Sequence, residues 1–224
     1  KPSADPNKLK NYCPISLLPF PAKVLEKAIN RQLTEHLENK RLLDNSQSRF
    51  HTNHSTETAL IAVTHDIRIL LDQGETTALI LLDLSAAFDT VSHHTLMRRL
   101  HDIRIQGDTL KWIASFLTGR TQRVRLPPFT SEPKDIICGV PQGSSLSPTL
   151  FNTYMTPLAN IVRAHGLNII SYADDTQLIL LLSEDLTTTR ANFHRCMTSV
   201  ADWMKNNCLK LNTDKTEVLI FGNN

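Results

Sequence analysis

The chain has 224 residues, 41% of them hydrophobic, and 24 Lys and Arg against 22 Asp and Glu give it a formal net charge of +2. This composition is that of an ordinary globular protein and excludes a disordered or fibrous chain. The length suffices for one large domain or for two lobes that share a core. Because the charge is nearly balanced, any surface that binds a nucleic acid must be local.

The four cysteines, Cys13, Cys138, Cys196 and Cys208, form no C-x-x-C pair and have no clustered His and Cys spacing. They predict neither a zinc site nor a disulfide framework, and reduced thiols in an intracellular protein are expected. The chain begins at Lys1 without a leader, which predicts no signal peptide and is compatible with a fragment. No apolar run is long enough to cross a bilayer, so no membrane partner is expected.

The first third of the chain predicts an extended arm followed by two amphipathic helices. Residues 1–11 are polar and contain prolines, which favours the arm. One helix is predicted over 23–37, where apolar residues recur every fourth position and Glu26 falls on another face. Start signals at 55–57 and a stop at Gly74 bracket the second helix. The apolar positions are Leu25, Ile29, Leu33 and Leu37 in the first helix, and Leu60, Val63, Ile67, Leu70 and Leu71 in the second.

The middle of the chain predicts a buried strand, two helices and a basic hairpin. Residues 78–82 are an unbroken apolar run that ends on Asp83, as expected for a central strand. The elements predicted after it are helices over 95–103 and 108–117, then a strand after Arg120 closed by Pro127 and Pro128, then a returning strand at 136–138.

A glycine-rich loop and a capped helix follow the hairpin. Residues 139–145 must form a loop, because two glycines and a proline flank a single glutamine. Ser147 is predicted to cap the next helix, with Pro148 at its first position. Pro157 predicts a kink inside that helix.

Two adjacent carboxylates stand near the end of the chain. Asp174 and Asp175 fall at the corner between two apolar runs, which predicts a tight hairpin over 169–180. A helix over 186–206 and a strand over 217–221 are predicted after it.

From residue 79 onward the order of strands and helices matches the split β-α-β-β-α-β pattern of a ferredoxin-like sheet, so the predicted fold class is α+β. In that topology the first strand lies beside the central hairpin, and Asp83 would end near Asp174 and Asp175. Taken alone, the paired aspartates are equally well explained by a solvated turn. Three carboxylates at one edge favour a site for divalent cations and phosphoryl transfer with two metal ions.

Six ordered blocks of sequence resemble the reverse transcriptases of non-LTR (LINE-type) retrotransposons. The blocks are N-Y-C-P-I-S-L-L-P at 11–19, H-S-T-E-T-A-L at 54–60, L-L-D-L-S-A-A-F-D at 81–89, G-V-P-Q-G-S-S-L-S-P at 139–148, Y-A-D-D at 172–175 and L-N-T-D-K-T-E at 211–217. The resemblance implies a polymerase right-hand fold with a ferredoxin-like palm sheet and a mostly helical fingers region. The implied division is fingers over 1–75, palm over 76–91, fingers with connecting helices and the basic hairpin over 92–140, and palm over 141–224, with the thumb and endonuclease missing.

The activity that this resemblance implies is RNA-directed DNA polymerisation, in which dNTPs are added to a DNA primer on an RNA template. It assigns Asp83, Asp174 and Asp175 as the catalytic ligands of two Mg²⁺ ions, with Mn²⁺ as a substitute. The main-chain carbonyl of Leu84 is implied as a further ligand. The expected location is intracellular, in the cytoplasm and the nucleus, as a retrotransposon ribonucleoprotein.

Four further residues are implied to act on the nucleotide. Phe88 would lie under the incoming sugar and exclude a 2′-hydroxyl, while Gln142 would lie against the nucleotide. Lys215 would neutralise or protonate the pyrophosphate leaving group, and His51 falls in the finger region that should grip the triphosphate. The first three also have plainer explanations, namely a core phenylalanine, a tight loop and a solvated surface lysine.

The three arginines of the basic hairpin, Arg120, Arg123 and Arg125, are candidates for contacting the phosphates of the template or primer. Such contacts would be salt-dependent and would not read sequence. A charged face on an edge hairpin explains these arginines equally well.

Three positions depart from the family pattern. The family usually has Arg where this chain has Cys13, Gly where it has Arg49, and Arg where it has His51. A mostly neutral imidazole should hold a triphosphate less well than Arg, and Arg49 would strain a turn that needs positive φ. Two hypotheses follow: a polymerase module with an intact catalytic centre, or a decayed relic that folds but is inactive and binds nucleic acid weakly at most. A polymerase that makes RNA is disfavoured by Phe88.

Overall fold

The computed structural model describes residues 5, 15–44, 46–47, 56–182 and 185–222. The arm predicted at 1–11 falls almost wholly outside these residues. The elements within them are α1 Phe20–Asn39, α2 Thr56–Asp72, β1 Thr76–Leu82, α3 Ala87–Thr90, α4 His93–Asp102, α5 Gly107–Leu117, β2 Thr121–Gln122, β3 Arg125–Leu126, β4 Phe129–Thr130, β5 Lys134–Asp135, α6 Ser147–Ala164, β6 Asn168–Tyr172, β7 Asp175–Leu182, α7 Leu186–Asn206, a 3₁₀ turn at Thr213–Lys215, and β8 Glu217–Phe221.

Four strands form one antiparallel sheet in the order β6-β7-β1-β8. β1 pairs with β7 along its whole length, from Thr76 opposite Leu182 to Leu82 opposite Thr176. On its other side β1 pairs with β8. The first strand therefore lies beside the central hairpin, as the β-α-β-β-α-β pattern predicted, and the α+β fold class is confirmed.

Helices cover both faces of this sheet. Successive side chains along a strand point to opposite faces, so β1 packs against different helices on its two sides. Ala78 and Leu82 of β1 belong to the main core, on the side where α6 and α7 pack. Leu79 packs on the opposite side with Val63 and Ile67 of α2. Burial on both faces explains why residues 78–82 of β1 are an unbroken apolar run rather than an alternating one.

Most predicted elements are observed close to their predicted bounds. The helices predicted over 95–103, 108–117 and 186–206 are α4, α5 and α7, and the strand predicted over 217–221 is β8. Among the described helices none combines the length and the apolar character that a membrane crossing requires.

The faces of α1 and α2 differ from the prediction. Leu33 and Leu37 are buried as expected, but Leu25 is 50% exposed, while Glu26 is only 1% exposed. In α2 the predicted core position Leu60 is exposed and Ala59 is buried instead. The burial of a carboxylate on α1 has a specific cause, because Glu26 is hydrogen-bonded by another segment of the chain.

The basic hairpin is built from two short ladders, in which β2 pairs with β5 and β3 pairs with β4. The prediction of a returning strand at 136–138 is wrong, because the strand lies earlier, at Lys134–Asp135. After it the chain leaves the hairpin to reach the segment behind α3, where Gly139 N–H donates to Val91 O at 2.8 Å. Main-chain hydrogen bonds to that segment replace the ladder that the sequence pattern predicted.

The N-cap residue of α6 is Leu146 rather than the predicted Ser147, and Ser144 supplies the side-chain hydrogen bonds at this helix end. The Ser144 hydroxyl accepts hydrogen bonds from the N–H groups of Leu146 at 3.0 Å and Ser147 at 3.2 Å. Ser147 is itself buried as the first residue of the helix. Pro157 lies inside α6, and the kink that it predicts stays a prediction.

Candidate active site

The paired aspartates lie at the turn of the hairpin formed by β6 and β7. Tyr172 pairs with Asp175, so Ala173 and Asp174 are the two turn residues. Ala173 has φ +61°, in the left-handed region that a residue with a Cβ adopts at a cost. Asp174 is half-buried and Asp175 is exposed. The predicted hairpin and its polar corner are therefore confirmed.

Asp83 follows β1 at the same end of the sheet. Because Leu82 is opposite Thr176, the residues that come next on the two strands, Asp83 and Asp175, lie beside each other. Both line one open cleft of about 430 Å³, together with Lys215 of the 3₁₀ turn. Sheet register thus brings together one carboxylate from each strand, 92 positions apart in the sequence.

Two polar side chains hold the carboxylate of Asp83, and both reach Oδ2. Asn212 donates to it from Nδ2 at 2.8 Å, and Lys215 Nζ lies 3.3 Å away. Asn212 also donates its main-chain N–H to the Asp83 carbonyl at 2.9 Å. The sequence predicted a role for Lys215 but missed Asn212, although Asn212 is part of the L-N-T-D-K-T-E block.

The role of Leu84 as a ligand through its main-chain carbonyl stays a prediction. Its side chain is buried, and it pairs with Leu211 in an isolated antiparallel bridge. The hydrogen bonds of that bridge join the flanking residues, from Ser85 N–H to Lys210 O and from Asn212 N–H to Asp83 O. The bridge itself therefore does not use the Leu84 carbonyl.

The chemistry of these groups suits a hard divalent cation, which prefers carboxylate and carbonyl oxygens. Among the residues that the structure describes, however, no three His, Cys, Asp or Glu side chains are grouped closely enough to hold a metal ion. The predicted cluster is thus not assembled by the side chains as they stand. Adjacent carboxylates repel one another without a neutralising cation, and here the cation beside Asp83 is Lys215.

Phe88 lies in the short helix α3, which follows Asp83 in the sequence. Its ring stacks on Phe151 of α6, with centroids 4.6 Å apart and an angle of 16° between the planes. It is only partly buried against the main core. One face of the ring is therefore fixed by packing while part of the ring stays accessible, which agrees with both explanations that the sequence left open.

Gln142 is held by a residue to which the sequence assigned no role. Its Nε2 donates to both carboxylate oxygens of Asp89, at 2.9 and 3.0 Å. Gly139 lies in the same place with φ +86°, and a Cβ there would come within 2.8 Å of the Asp89 carbonyl oxygen. Gly139 is therefore needed both for its backbone conformation and for the close approach to α3.

A cleft of about 400 Å³ opens beside this loop. It is lined by the loop itself, by the base of the basic hairpin and by residue 16, and its lining residues include Asp89, Gln142, Arg120 and Cys138. Gln142 and Arg120 are thus brought to one cleft from separate predicted sites.

The loop over 139–145 is also fixed by hydrogen bonds to Glu26 of α1. The carboxylate oxygen Oε2 accepts from Ser144 Oγ at 2.5 Å and from Ser145 N–H at 3.1 Å. The other oxygen, Oε1, is buried and has no hydrogen-bond partner among the described residues. The periodicity of α1 placed Glu26 on a polar face, and the partner that buries it is 118 residues away in the chain.

The three arginines of the hairpin differ in their surroundings. Arg120 is half-buried, donates to Phe116 O at 3.3 Å and lies over the Phe116 ring at 5.2 Å. Burial lowers the pKa of Arg120, and the charge of Glu26 opposes that shift. Arg123 and Arg125 are exposed. Arg120 therefore has a packing role, whereas the other two are accessible to a polyanion.

The remaining predicted residue, His51, lies outside the described residues, as do Cys13 and Arg49. Their predicted effects on triphosphate binding and on a turn stay predictions.

The sheet, the carboxylates at its end and the loop with Gln142 define a class of protein, and comparison with known families agrees. The family described as reverse transcriptase (RNA-dependent DNA polymerase) matches residues 1–220. The chain therefore belongs to the reverse transcriptase family.

Relatives within this family come from non-LTR retrotransposons, as the sequence blocks implied. The RNA-directed DNA polymerase from the mobile element jockey of Drosophila melanogaster is 28% identical over 229 residues, which cover 100% of this chain and 25% of the relative. Its counterpart in Drosophila funebris is 32% identical over 184 residues, covering 80% of this chain and 20% of the relative. The chain thus spans about a quarter of the length of these relatives.

A solved structure supports the fold. The telomerase of Candida albicans, in complex with a fragment of telomeric RNA, superposes with a TM-score of 0.61 over 89% of this chain and 34% of the telomerase chain. The sequences are 14% identical, so the likeness concerns the fold of fingers and palm.

Proposed function

We propose that this chain is the polymerase module of an RNA-directed DNA polymerase, which adds dNTPs to the 3′-hydroxyl of a DNA primer paired with an RNA template. The observation that carries the proposal is the meeting of Asp83, Asp175 and Lys215 in one cleft, with Asp174 at the adjoining turn. Membership of the reverse transcriptase family supports the same reaction.

In the proposed reaction Asp83, Asp174 and Asp175 would hold two Mg²⁺ ions, with the Leu84 carbonyl as a further ligand and Mn²⁺ as a substitute. Such ions would supply a lowered pKa for the attacking hydroxyl and a positive charge opposite the transferred phosphate. Lys215 Nζ, 3.3 Å from Asp83 Oδ2, lies where it can neutralise or protonate the departing pyrophosphate.

The substrate is held by groups around this centre. Phe88, fixed against Phe151, would lie under the sugar and exclude a 2′-hydroxyl. Gln142, oriented by Asp89, would contact the nucleotide, and Arg123 and Arg125 would contact backbone phosphates.

The domain division follows from this assignment: fingers over 1–75 and 92–140, and palm over 76–91 and 141–224. His51, outside the described residues, would help the fingers to hold the triphosphate. The proposed location is intracellular, in the cytoplasm and nucleus, as part of a retrotransposon ribonucleoprotein.

Primer extension tests the proposal. The 224-residue chain, Asp174→Asn and the exposed control Asp108→Asn are each mixed with Mg²⁺, dNTPs and a DNA primer on an RNA template. We expect extension by the wild type and by the control but none by Asp174→Asn. Equal extension by the wild type and Asp174→Asn, or no extension by a folded wild-type chain, would refute it.

A further inference from the structure

The turn that carries the aspartates is hydrogen-bonded by Gln47, which is distant in the sequence. The Gln47 side chain donates from Nε2 to the Ala173 carbonyl at 3.1 Å, and its Oε1 accepts from the Ala173 N–H at 2.9 Å. Gln47 is only 6% exposed and lies 126 positions away in the sequence. One side chain thus engages both main-chain polar groups of the residue that precedes Asp174.

The main chain beside Gln47 also hydrogen-bonds to the hairpin. Ser171 N–H donates to Ser46 O at 2.8 Å, and Gln47 forms a parallel bridge with Ser171. Residues 46–47 therefore run beside the end of β6 and meet the turn from outside the hairpin. Because Ala173 has φ +61°, a conformation disfavoured for a residue with a Cβ, it persists only where the surroundings hold it.

The segment that supplies Gln47 is itself fixed to α6. Arg163 makes two hydrogen bonds to Asp44, from Nη1 to Oδ2 at 2.5 Å and from Nη2 to Oδ1 at 2.9 Å. Asp44 Oδ1 also accepts from Ser46 N–H at 2.8 Å. Burial raises the pKa of Asp44, but the hydrogen bonds from Arg163 and Ser46 outweigh it and leave the pKa below its usual value. The segment that carries Gln47 is thus held by a charged pair anchored on α6 in addition to its contacts with the hairpin.

We propose that Gln47 is a positioning residue, which fixes the Ala173 peptide groups and thereby the placement of Asp174 and Asp175. The inference rests on the proposed polymerase function. An amide is the side chain that this role needs, because it supplies a donor and an acceptor at once. Glutamate keeps only the acceptor and brings a negative oxygen against the Ala173 carbonyl, and methionine keeps the length but neither hydrogen bond.

Three variants separate this role from a general contribution to folding. Gln47→Met removes both hydrogen bonds, and Gln47→Glu keeps the one accepted from Ala173 N–H. The matched control is Asn192→Leu, which removes another amide hydrogen bond to a main-chain carbonyl, from Asn192 Nδ2 to His165 O at 2.8 Å, between α7 and the end of α6. For each protein we would measure hydrogen exchange of the Ala173 amide, thermal unfolding, and kcat and KM for dNTP.

The expected results differ between the variants. In Gln47→Met the Ala173 amide exchanges about tenfold faster, and kcat falls about 10²-fold while KM for dNTP changes little, because the change affects the metal ligands rather than the nucleotide contacts. Gln47→Glu keeps the Ala173 amide protected and loses less kcat. Asn192→Leu lowers the unfolding temperature but changes neither the Ala173 exchange nor kcat.

Unchanged exchange at Ala173 in Gln47→Met would overturn the proposal. An equal loss of kcat in Asn192→Leu at equal loss of stability would do the same. If Gln47→Met does not fold, Gln47→Glu decides: kcat equal to wild type overturns the proposal, and a lowered kcat with a protected Ala173 amide supports it. A folded wild type without polymerase activity would refute the proposed function, and the exchange measurement would still decide whether Gln47 holds the turn.

Discussion

Removal of the Glu26 carboxylate should destabilise the protein although its helix lies far from the metal ligands in sequence. Glu26 is 1% exposed and accepts hydrogen bonds from Ser144 Oγ and Ser145 N–H. The substitution Glu26→Ala leaves the buried Ser144 hydroxyl and the partly buried Ser145 N–H without their acceptor. A buried donor left unpaired costs about 1 to 3 kcal/mol, and a partly buried one costs less. Relief of the cost of burying a charge offsets part of this, so we expect a loss of about 2 to 4 kcal/mol in the free energy of unfolding.

Urea denaturation of three variants measures this effect. Glu26→Gln keeps an acceptor oxygen of the same reach and should lose only about 1 kcal/mol. Glu35→Ala is the control on the same helix, since its exposed pair with Arg31, at 4.0 Å, should contribute little. Because the Gly139–Ser145 loop carries Gln142, Glu26→Ala should also raise KM for dNTP.

A free energy of unfolding for Glu26→Ala within about 0.5 kcal/mol of wild type would contradict this reasoning. So would a loss in Glu26→Gln as large as that in Glu26→Ala. Either result would mean that the carboxylate does not hold the loop.

Three further predictions concern substrate handling. Phe88→Ala should admit a 2′-hydroxyl, so the ratio of kcat/KM for dNTP to that for rNTP falls by about tenfold or more in single-nucleotide addition; an unchanged ratio argues against a steric role. Lys215→Met should lower kcat by about 10²-fold or more if the ammonium acts on the pyrophosphate, whereas a solvated lysine would leave kcat unchanged. The double change of Arg123 and Arg125 to Gln should reduce the salt dependence of primer–template binding by about two in the slope of log K against log salt, and an unaltered slope excludes phosphate contacts there.

Elements with a strong local pattern were predictable from the sequence. The helix over 186–206 and the strand over 217–221 were predicted at their observed bounds, because the hydrophobic repeat of each element matches one period clearly. The sheet order followed from the succession of elements, and with it the nearness of Asp83 to the aspartate hairpin.

Features that depend on a distant partner were not predictable. Glu26 was assigned to a polar face because its burial requires Ser144, 118 positions away. Ser147 matched the local signature of a helix cap, but Ser144 supplies the side-chain hydrogen bonds at this helix end because the tight loop brings its hydroxyl to two N–H groups. Local sequence gives the type of group that is present but not which of two serines reaches the helix end.

The candidate site divides in the same way. Residues within matched blocks, such as Asp83, Asp174 and Lys215, could be predicted as candidates by type and order, and their roles stay predictions. Asn212 and Gln47, which orient the Asp83 carboxylate and the aspartate turn, act through hydrogen bonds that only the folded chain creates. The one signal in the sequence for such a role was the place of Asn212 inside a matched block, three positions before Lys215.

In the proposed function the carboxylates at the end of the sheet bind the metal ions for nucleotidyl transfer. The most direct measurement is the rate of single dNTP addition in Mg²⁺ by wild type and Asp83→Asn, with Asp108→Asn as the exposed control. Loss of a metal ligand should remove several kcal/mol of transition-state stabilisation, which means a rate at least about 10²-fold lower in Asp83→Asn and an unchanged rate in the control. A folded Asp83→Asn that adds dNTP at the wild-type rate would contradict the claim.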